Sequence, residues 1–277
     1  MNPAGPEHRS ILREIARRSM IEKGLLPDFS PEVTAELSAI KTHAANYGEV
    51  RDLTEMPWAS IDNDDTRDID QLTVAQQMSG GSVKIFVAVA DVDSMVKNGS
   101  AIDDHACRNA TSVYTAAQIF PMLPEKLSTD LTSLNLHEDR PAVVCEMEIG
   151  PGGALLAADV YNARVNNCAK LAYNSVAMWL DGKENAPPAL SSVKGLEQNL
   201  RLQDRTAQTM KNFRRSRGAL GFETVEARPV FDGNEISDLE IERRNRAKTL
   251  IEELMIGANI AVADYLAGRR FPFLRRV

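Results

Sequence analysis

Ser60-Ile61-Asp62-Asn63-Asp64-Asp65-Thr66-Arg67-Asp68-Ile69-Asp70-Gln71 places five carboxylates within nine residues. Two carboxylates about 4 Å apart repel by about 4 kcal/mol at an effective dielectric near ~20, so carboxylates that converge must protonate, splay into water or bind a cation. In an extended segment Asp68 and Asp70 project from one face, and Asp62 joins them if the intervening loop folds back. Oxygen donors without a neighbouring Cys or His ligand suit Mg²⁺ or Mn²⁺ rather than zinc. A calcium-loop pattern starting at Asp62 needs Gly where Arg67 stands and Glu where Thr73 stands, so that pattern fails. A phosphatase-like Asp-x-Asp pair rests on two residues alone, and a solvated acidic turn is the bland alternative.

Outward from this stretch the pattern is that of a sheet. Leu72 to Gln77 reads as a strand, Ser79-Gly80-Gly81-Ser82 as a turn and Val83 to Val92 as a second strand. Val83-Lys84-Ile85-Phe86-Val87-Ala88-Val89-Ala90 is apolar on both faces, which predicts a central strand of a covered sheet with the carboxylates at its end or edge. Ala142 to Ile149 and Ala154 to Val165 predict a hairpin around Pro151-Gly152-Gly153.

Helices flank the strands. Ile11, Leu12, Ile15, Ala16 and Met20 recur at helical spacing between Glu7 and Lys23, and Ser30-Pro31-Glu32 starts a second helix running to about Ala45. Ser100 caps a helix over 101–109. Prolines 121 and 124 exclude a continuous helix across the apolar run from Ile119 to Ser128. Further helices are predicted over 172–180, from about Ser192 to Arg217 with Gly218 as a left-handed cap, and over 243–267. Phe222 to Val230 and Glu235 to Glu240 read as extended.

At 277 residues, 43% hydrophobic and 26% charged, the composition is that of an ordered globular protein. No apolar run reaches a membrane span, and the first residues lack a signal-peptide pattern, so a cytoplasmic chain with no membrane partner is expected. Cys107, Cys145 and Cys168 are widely spaced and odd in number, which predicts reduced core residues rather than a disulfide framework. The four histidines have no metal or triad spacing. Net charge is −7, which argues against a general polyanion-coating protein, yet residues 201–277 carry 15 Lys and Arg against 11 Asp and Glu. A basic second half facing an anionic polymer and plain solvated helix faces both fit that imbalance.

Several ordered blocks resemble the ribonuclease II/R family catalytic (RNB) domain. They are Asp62-x5-Asp68-Ile69-Asp70, Val87-Ala88-Val89-Ala90-Asp91-Val92, Gly99-Ser100, Thr111-Ser112-Val113-Tyr114, Pro121-Met122-Leu123-Pro124-Glu125-Lys126-Leu127-Ser128 and Asp139-Arg140. Arg217-Gly218-Ala219-Leu220-x-Phe222-Glu223 and Leu250-Ile251-Glu252-Glu253-Leu254-Met255-x-x-Ala258-Asn259 extend the match. The resemblance implies an α+β fold: an RNB-type mixed β-sheet with packed helices over 51–277, preceded by a short helical N-terminal segment over 1–50. It further implies a domain that continues beyond Val277, so that this chain carries its first part.

The activity implied is hydrolytic 3′-to-5′ degradation of single-stranded RNA to nucleoside 5′-monophosphates with Mg²⁺, Mn²⁺ being the alternative. Asp62, Asp68 and Asp70 match three of the family's four catalytic aspartates, and Gln71 stands where the fourth is expected. In a two-metal scheme Asp62 and Gln71 flank one ion and Asp68 and Asp70 the other, with Asp70 most directly involved in chemistry. Tyr114 and Phe222 match aromatics that contact bases, and one of Glu252 and Glu253 matches a ribose-contacting acid. Arg217, with Arg243, Arg244 and Arg246, is a candidate phosphate contact. The family pattern has His where Ala88 stands and Arg-Gly where Asn109-Ala110 stand, which marks a divergent subgroup. Two other readings stay open: a catalytically weakened or truncated RNB module that binds RNA or a protein partner, and a metal-dependent nuclease acting on DNA.

Overall fold

In the computed structural model, which describes residues 8–40, 50–221, 226–233, 235–242 and 244–273, the elements follow the sequence pattern closely. In chain order they are α1 (His8–Glu22), α2 (Pro31–Ala39), β1 (Arg51–Asp52), β2 (Trp58–Asp62), β3 (Gln71–Gln77), β4 (Val83–Ala90) and α3 (Ala101–Asn109). There follow β5 (Val113–Tyr114), β6 (Ile119–Phe120), a π-helical turn at Leu127–Leu131, β7 (Asp139–Ile149), β8 (Leu155–Ala172) and α4 (Tyr173–Leu180). The remainder is α5 (Pro188–Ser191), α6 (Leu196–Ser216), β9 (Glu226–Asp232), β10 (Glu235–Glu242) and α7 (Arg246–Gly268). This mixed α+β architecture is the one the sequence predicts.

By contact the chain divides into two units. One comprises Met1–Thr42, Asp93–Leu131 and Phe222–Arg243; the other comprises His43–Val92, Thr132–Gly221 and Arg244–Val277.

The second unit is built on a six-stranded mixed sheet of order β1-β8-β2-β3-β4-β7. An additional β7–β8 pairing links its last strand back to β8, so β8, β2, β3, β4 and β7 form a ring. The 18-residue length of β8 permits this, because Leu155 to Asn166 pair with β7 while Asn167 to Ala172 pair with β2. Side chains of β4 alternate between two cores: Val83, Ile85 and Val87 join one cluster, Phe86 and Ala88 the other. The first cluster includes Leu250, Leu254, Ala258 and Ala261 of α7 and Leu196, Leu200 and Ala207 of α6. Gly257 lets α7 come close, since a Cβ there would lie 2.6 Å from Met210 Cε. Gly153, with φ 85° at the β7–β8 turn, would place a Cβ 2.3 Å from the Thr209 carbonyl oxygen of α6.

In the first unit Ser30 Oγ accepts from Val33 N–H at the start of α2, and Ser100 Oγ from Asp103 N–H at the start of α3, the caps that the sequence predicts. Asn109 ties α3 to the segment after α1: its Oδ1 accepts from Leu26 N–H at 2.8 Å and its Nδ2 donates to Leu26 O at 2.9 Å. The apolar stripe of α1 is covered only in part, for Met20 is buried while Ile11 and Ile15 are exposed. All three cysteines are free, but Cys107 is exposed on α3 rather than in a core. No described helix is long and apolar enough to cross a membrane.

Candidate active site

The acidic residues lie on the connection between two neighbouring strands of the sheet. Strand β2 ends at Asp62, β3 begins at Gln71, and the two pair antiparallel with Ala59 opposite Thr73. Asp62, the last residue of β2, pairs with Ala172 of β8, and Asp70 immediately precedes β3, near enough to feel the Asp62 charge. The ladder also reaches Asp70 from the other side, where Ala90 N–H donates to its carbonyl at 2.9 Å. The connection turns at Asn63–Thr66, closed by Thr66 N–H to Asn63 O at 3.2 Å, and Asp62 Oδ1 takes the Asn63 N–H at 2.7 Å. Lys170 of β8 donates to the Thr66 carbonyl. Asp64 and Asp65, at the tip, are exposed.

Asp70 carries the electrostatic signature of this assembly. The residue is exposed, yet protein crowds it densely enough that desolvation is the leading cause pushing its carboxyl above the ordinary value of 3.8. The Asp62 charge raises it further, a backbone hydrogen bond opposes the rise, and Asp68 adds a smaller contribution. Asp62 and Asp68 are therefore within Coulombic reach of Asp70.

Such a set fits a hard divalent cation in its chemistry: oxygen donors with mutual repulsion that a cation relieves. Among the described residues, however, no group of three or more His, Cys, Asp or Glu side chains is drawn tightly enough to ligate one ion. Gln71 is buried at the first position of β3, where alternation gives its side chain the parity of Thr73 and Ala75, and Ala75 belongs to the helix-side core.

The other candidates fall in different places. Tyr114 lies on β5 in the first unit, 70% exposed and opposite Ile119 of β6. Phe222 and Arg243 lie outside the described residues. Arg217 is the exposed C-cap of α6, its guanidinium 5.2 Å from the Phe213 ring centre, and Gly218 follows with φ 91°. Glu252 and Glu253 part company on α7. Glu252 is half-buried and meets Arg244 at 2.6 Å, while Glu253 is 2% exposed and held by Arg214. Arg246 is likewise engaged, making 3.0 and 2.7 Å bonds to the buried Asp204. The local excess of basic residues thus overstates the positive charge free to face a polymer.

Sequence reasoning missed the residues that touch the acidic segment from behind. Ser133 and Leu134, just outside the π-helical turn, contact the backbone of Ile69 between the two aspartates. The trace in the sequence is a pair of small hydroxyl residues, Thr132-Ser133, between Leu131 and Leu134.

A sequence profile described as the RNB domain matches residues 50–277. Ribonuclease R of Vibrio parahaemolyticus serotype O3:K6 is 38% identical over 238 residues, covering 84% of this chain and 28% of that protein. Ribonuclease R of Escherichia coli K12 is 34% identical over 269 residues, covering 95% of this chain and 32% of that protein. The chain thus spans roughly three tenths of the length of these curated relatives. Among solved structures, Mycoplasma genitalium RNase R in complex with ribose methylated single-stranded RNA superposes with a TM-score of 0.82 at 24% identity, covering 94% of this chain and 40% of that one.

Proposed function

This chain belongs to the RNB domain family, and from that premise we propose that it is the acidic, metal-binding part of a hydrolytic 3′-to-5′ exoribonuclease that degrades single-stranded RNA to nucleoside 5′-monophosphates. The observation that carries the reading is the electrostatic coupling of Asp70 to both Asp62 and Asp68: desolvation raises its pKa, and their charges raise it further. The ribonuclease R relatives, and the Mycoplasma genitalium enzyme seen with single-stranded RNA, support the substrate class. The compartment proposed is the cytoplasm, where three unpaired cysteines stay reduced.

Asp62, Asp68 and Asp70 would hold Mg²⁺, or Mn²⁺ in its place, with Gln71 standing at the position of a neutral fourth donor. When bound, the metal polarises the scissile phosphate and lowers the pKa of water. Asp70 is assigned the most direct part in the chemistry, as a ligand that would orient the metal and the attacking water. Tyr114 presents its ring to a base, an interaction worth about 1–3 kcal/mol per base that ignores sequence. Phe222 is assigned a second base contact and Arg217 a phosphate. Of the acidic pair on α7, Glu252 keeps the accessibility that a ribose contact needs, while Glu253 is committed to Arg214.

The test is release of 5′-monophosphates from a single-stranded RNA oligomer with Mg²⁺, beside a deoxyribose oligomer of the same sequence. Release from RNA that falls by on the order of 10² to 10³-fold in Asp70→Asn is expected. Equal cleavage of the DNA oligomer would overturn the RNA assignment. A second reading, an RNA-binding or regulatory module weakened at its fourth acidic position, is favoured by Gln71 alone. RNA binding without monophosphate release at high protein concentration would establish it.

A further inference from the structure

Asp62 is fixed by the ladder of β2 and the Asp70 carbonyl accepts from Ala90 N–H, but residues 63–70 belong to no strand, so the placement of Asp68 and of the chain leading into Asp70 depends on what holds Ile69 between them. Ile69 is held at two points. Its N–H donates to Ser133 Oγ at 3.0 Å, and its carbonyl accepts from Leu134 N–H at 2.8 Å. The hydroxyl proton of Ser133 goes to Asn135 Oδ1 at 2.9 Å, which leaves an oxygen lone pair directed at Ile69. Ser133 is itself anchored from below, because its carbonyl accepts from Arg140 Nε at 3.0 Å. Arg140 is 3% exposed, also meets Glu138, and lies in β7 opposite Val165 of β8. Ile69, Ser133 and Leu134 are all buried, so no water competes for these bonds.

We propose that Ser133 is a positioning residue for the metal site: by clamping Ile69 against the ring of strands it turns that side chain inward and holds the Asp68 and Asp70 carboxylates outward at a fixed separation. The inference rests on the reading of these aspartates as metal ligands. Without the hydroxyl, the Ile69 N–H loses its buried partner and the segment between the two carboxylates gains freedom, while the strands that define the fold keep their own hydrogen bonds. Asn135 acts one step further out, by orienting the Ser133 hydroxyl.

The experiment uses the 277-residue chain, titrated with Mn²⁺ by electron paramagnetic resonance at a temperature where circular dichroism shows every variant folded. Ser133→Ala is expected to weaken Mn²⁺ binding about tenfold, as loss of a group that orients ligands commonly does. Asn135→Ala should weaken it less, and Ser133→Thr should recover most of the affinity by restoring the hydroxyl. A merely structural serine would lower the melting temperature and leave the affinity of the folded protein unchanged. Wild-type affinity in folded Ser133→Ala overturns the inference and leaves the proposed function standing. Should Ser133→Ala fail to fold, Asn135→Ala decides by the same criterion. A wild-type chain that takes up no Mn²⁺, with Asp70→Asn indistinguishable from it, overturns the metal reading and the inference with it.

Discussion

Arg214 grips Glu253 with two parallel bonds, Nε to Oε2 at 2.9 Å and Nη2 to Oε1 at 2.7 Å, joining α6 to α7 across the helix layer. Glu253 is 2% exposed, so its charge is tolerated only because the guanidinium neutralises it and fills its acceptor sites. Glu252, its neighbour, faces another way and keeps contact with solvent.

Removing one partner strands the other. Glu253→Ala is expected to destabilise the chain by about 3 kcal/mol, read as a lower urea midpoint, and Arg214→Met with Glu253→Leu should cost much less. Glu252→Ala should leave stability nearly unchanged and weaken RNA binding. Equal losses of stability in the two single variants would show that the partition between brace and ligand contact is wrong.

Asp70 carries a pH dependence of known sign. Its folded-state pKa lies above its ordinary 3.8, so the ionised carboxylate opposes folding at neutral pH. That opposition is relieved as pH falls through the raised value, and the relief is complete below 3.8. Metal-free Asp70→Asn should therefore melt higher than wild type at pH 7, with the difference vanishing on acidification. Saturating Mg²⁺ should close the gap from the other side, by stabilising wild type alone. A metal-free variant that melts lower at pH 7 would contradict this account of the site.

Gln71 is testable in the direction of more charge. Gln71→Asp should lower metal-free stability, because a further carboxylate enters a repulsive and buried position. It should also tighten Mn²⁺ binding on the order of tenfold, about 1.4 kcal/mol. Destabilisation without tighter binding would make residue 71 a wall of the sheet rather than a donor.

Ala110 ends α3 with φ 56° and ψ −5°, a left-handed conformation that costs an L-residue about 1 kcal/mol. Glycine is expected at this position from the family pattern, and Ala110→Gly should stabilise the chain by about 0.5 kcal/mol once the greater freedom of glycine in the unfolded chain is offset. A raised thermal midpoint with unchanged Mn²⁺ affinity is the expected result. The preceding Asn109 explains part of the departure, since its amide is bonded to both backbone groups of Leu26.

Local order was legible because its causes are local. The helix over 101–109 follows from Ser100 and the residues it caps, and α6 stops where Gly218 accepts a positive φ. Strand β2 escaped because Trp58-Ala59-Ser60-Ile61-Asp62 is too short and too mixed for its alternation to stand out. The apolar stripe of α1 was legible as a helix but not as a surface, since periodicity says which residues share a face and not whether anything covers it.

By itself, the sequence determined the chemistry on offer: oxygen donors at positions 62, 68 and 70, an amide at 71, an apolar central strand and the ends of most helices. Residue type and spacing set these, and neither changes on folding. Only the tertiary structure decided that Asp62 lies within electrostatic reach of Asp70, that β8 reaches both β2 and β7, and that Glu253 is spent on Arg214 while Glu252 is not. It also decided that Ile69 is held by a serine 64 residues away. Such pairings are selected by burial, which penalises every unpartnered charge and N–H, and burial depends on which distant segments pack together rather than on any local period.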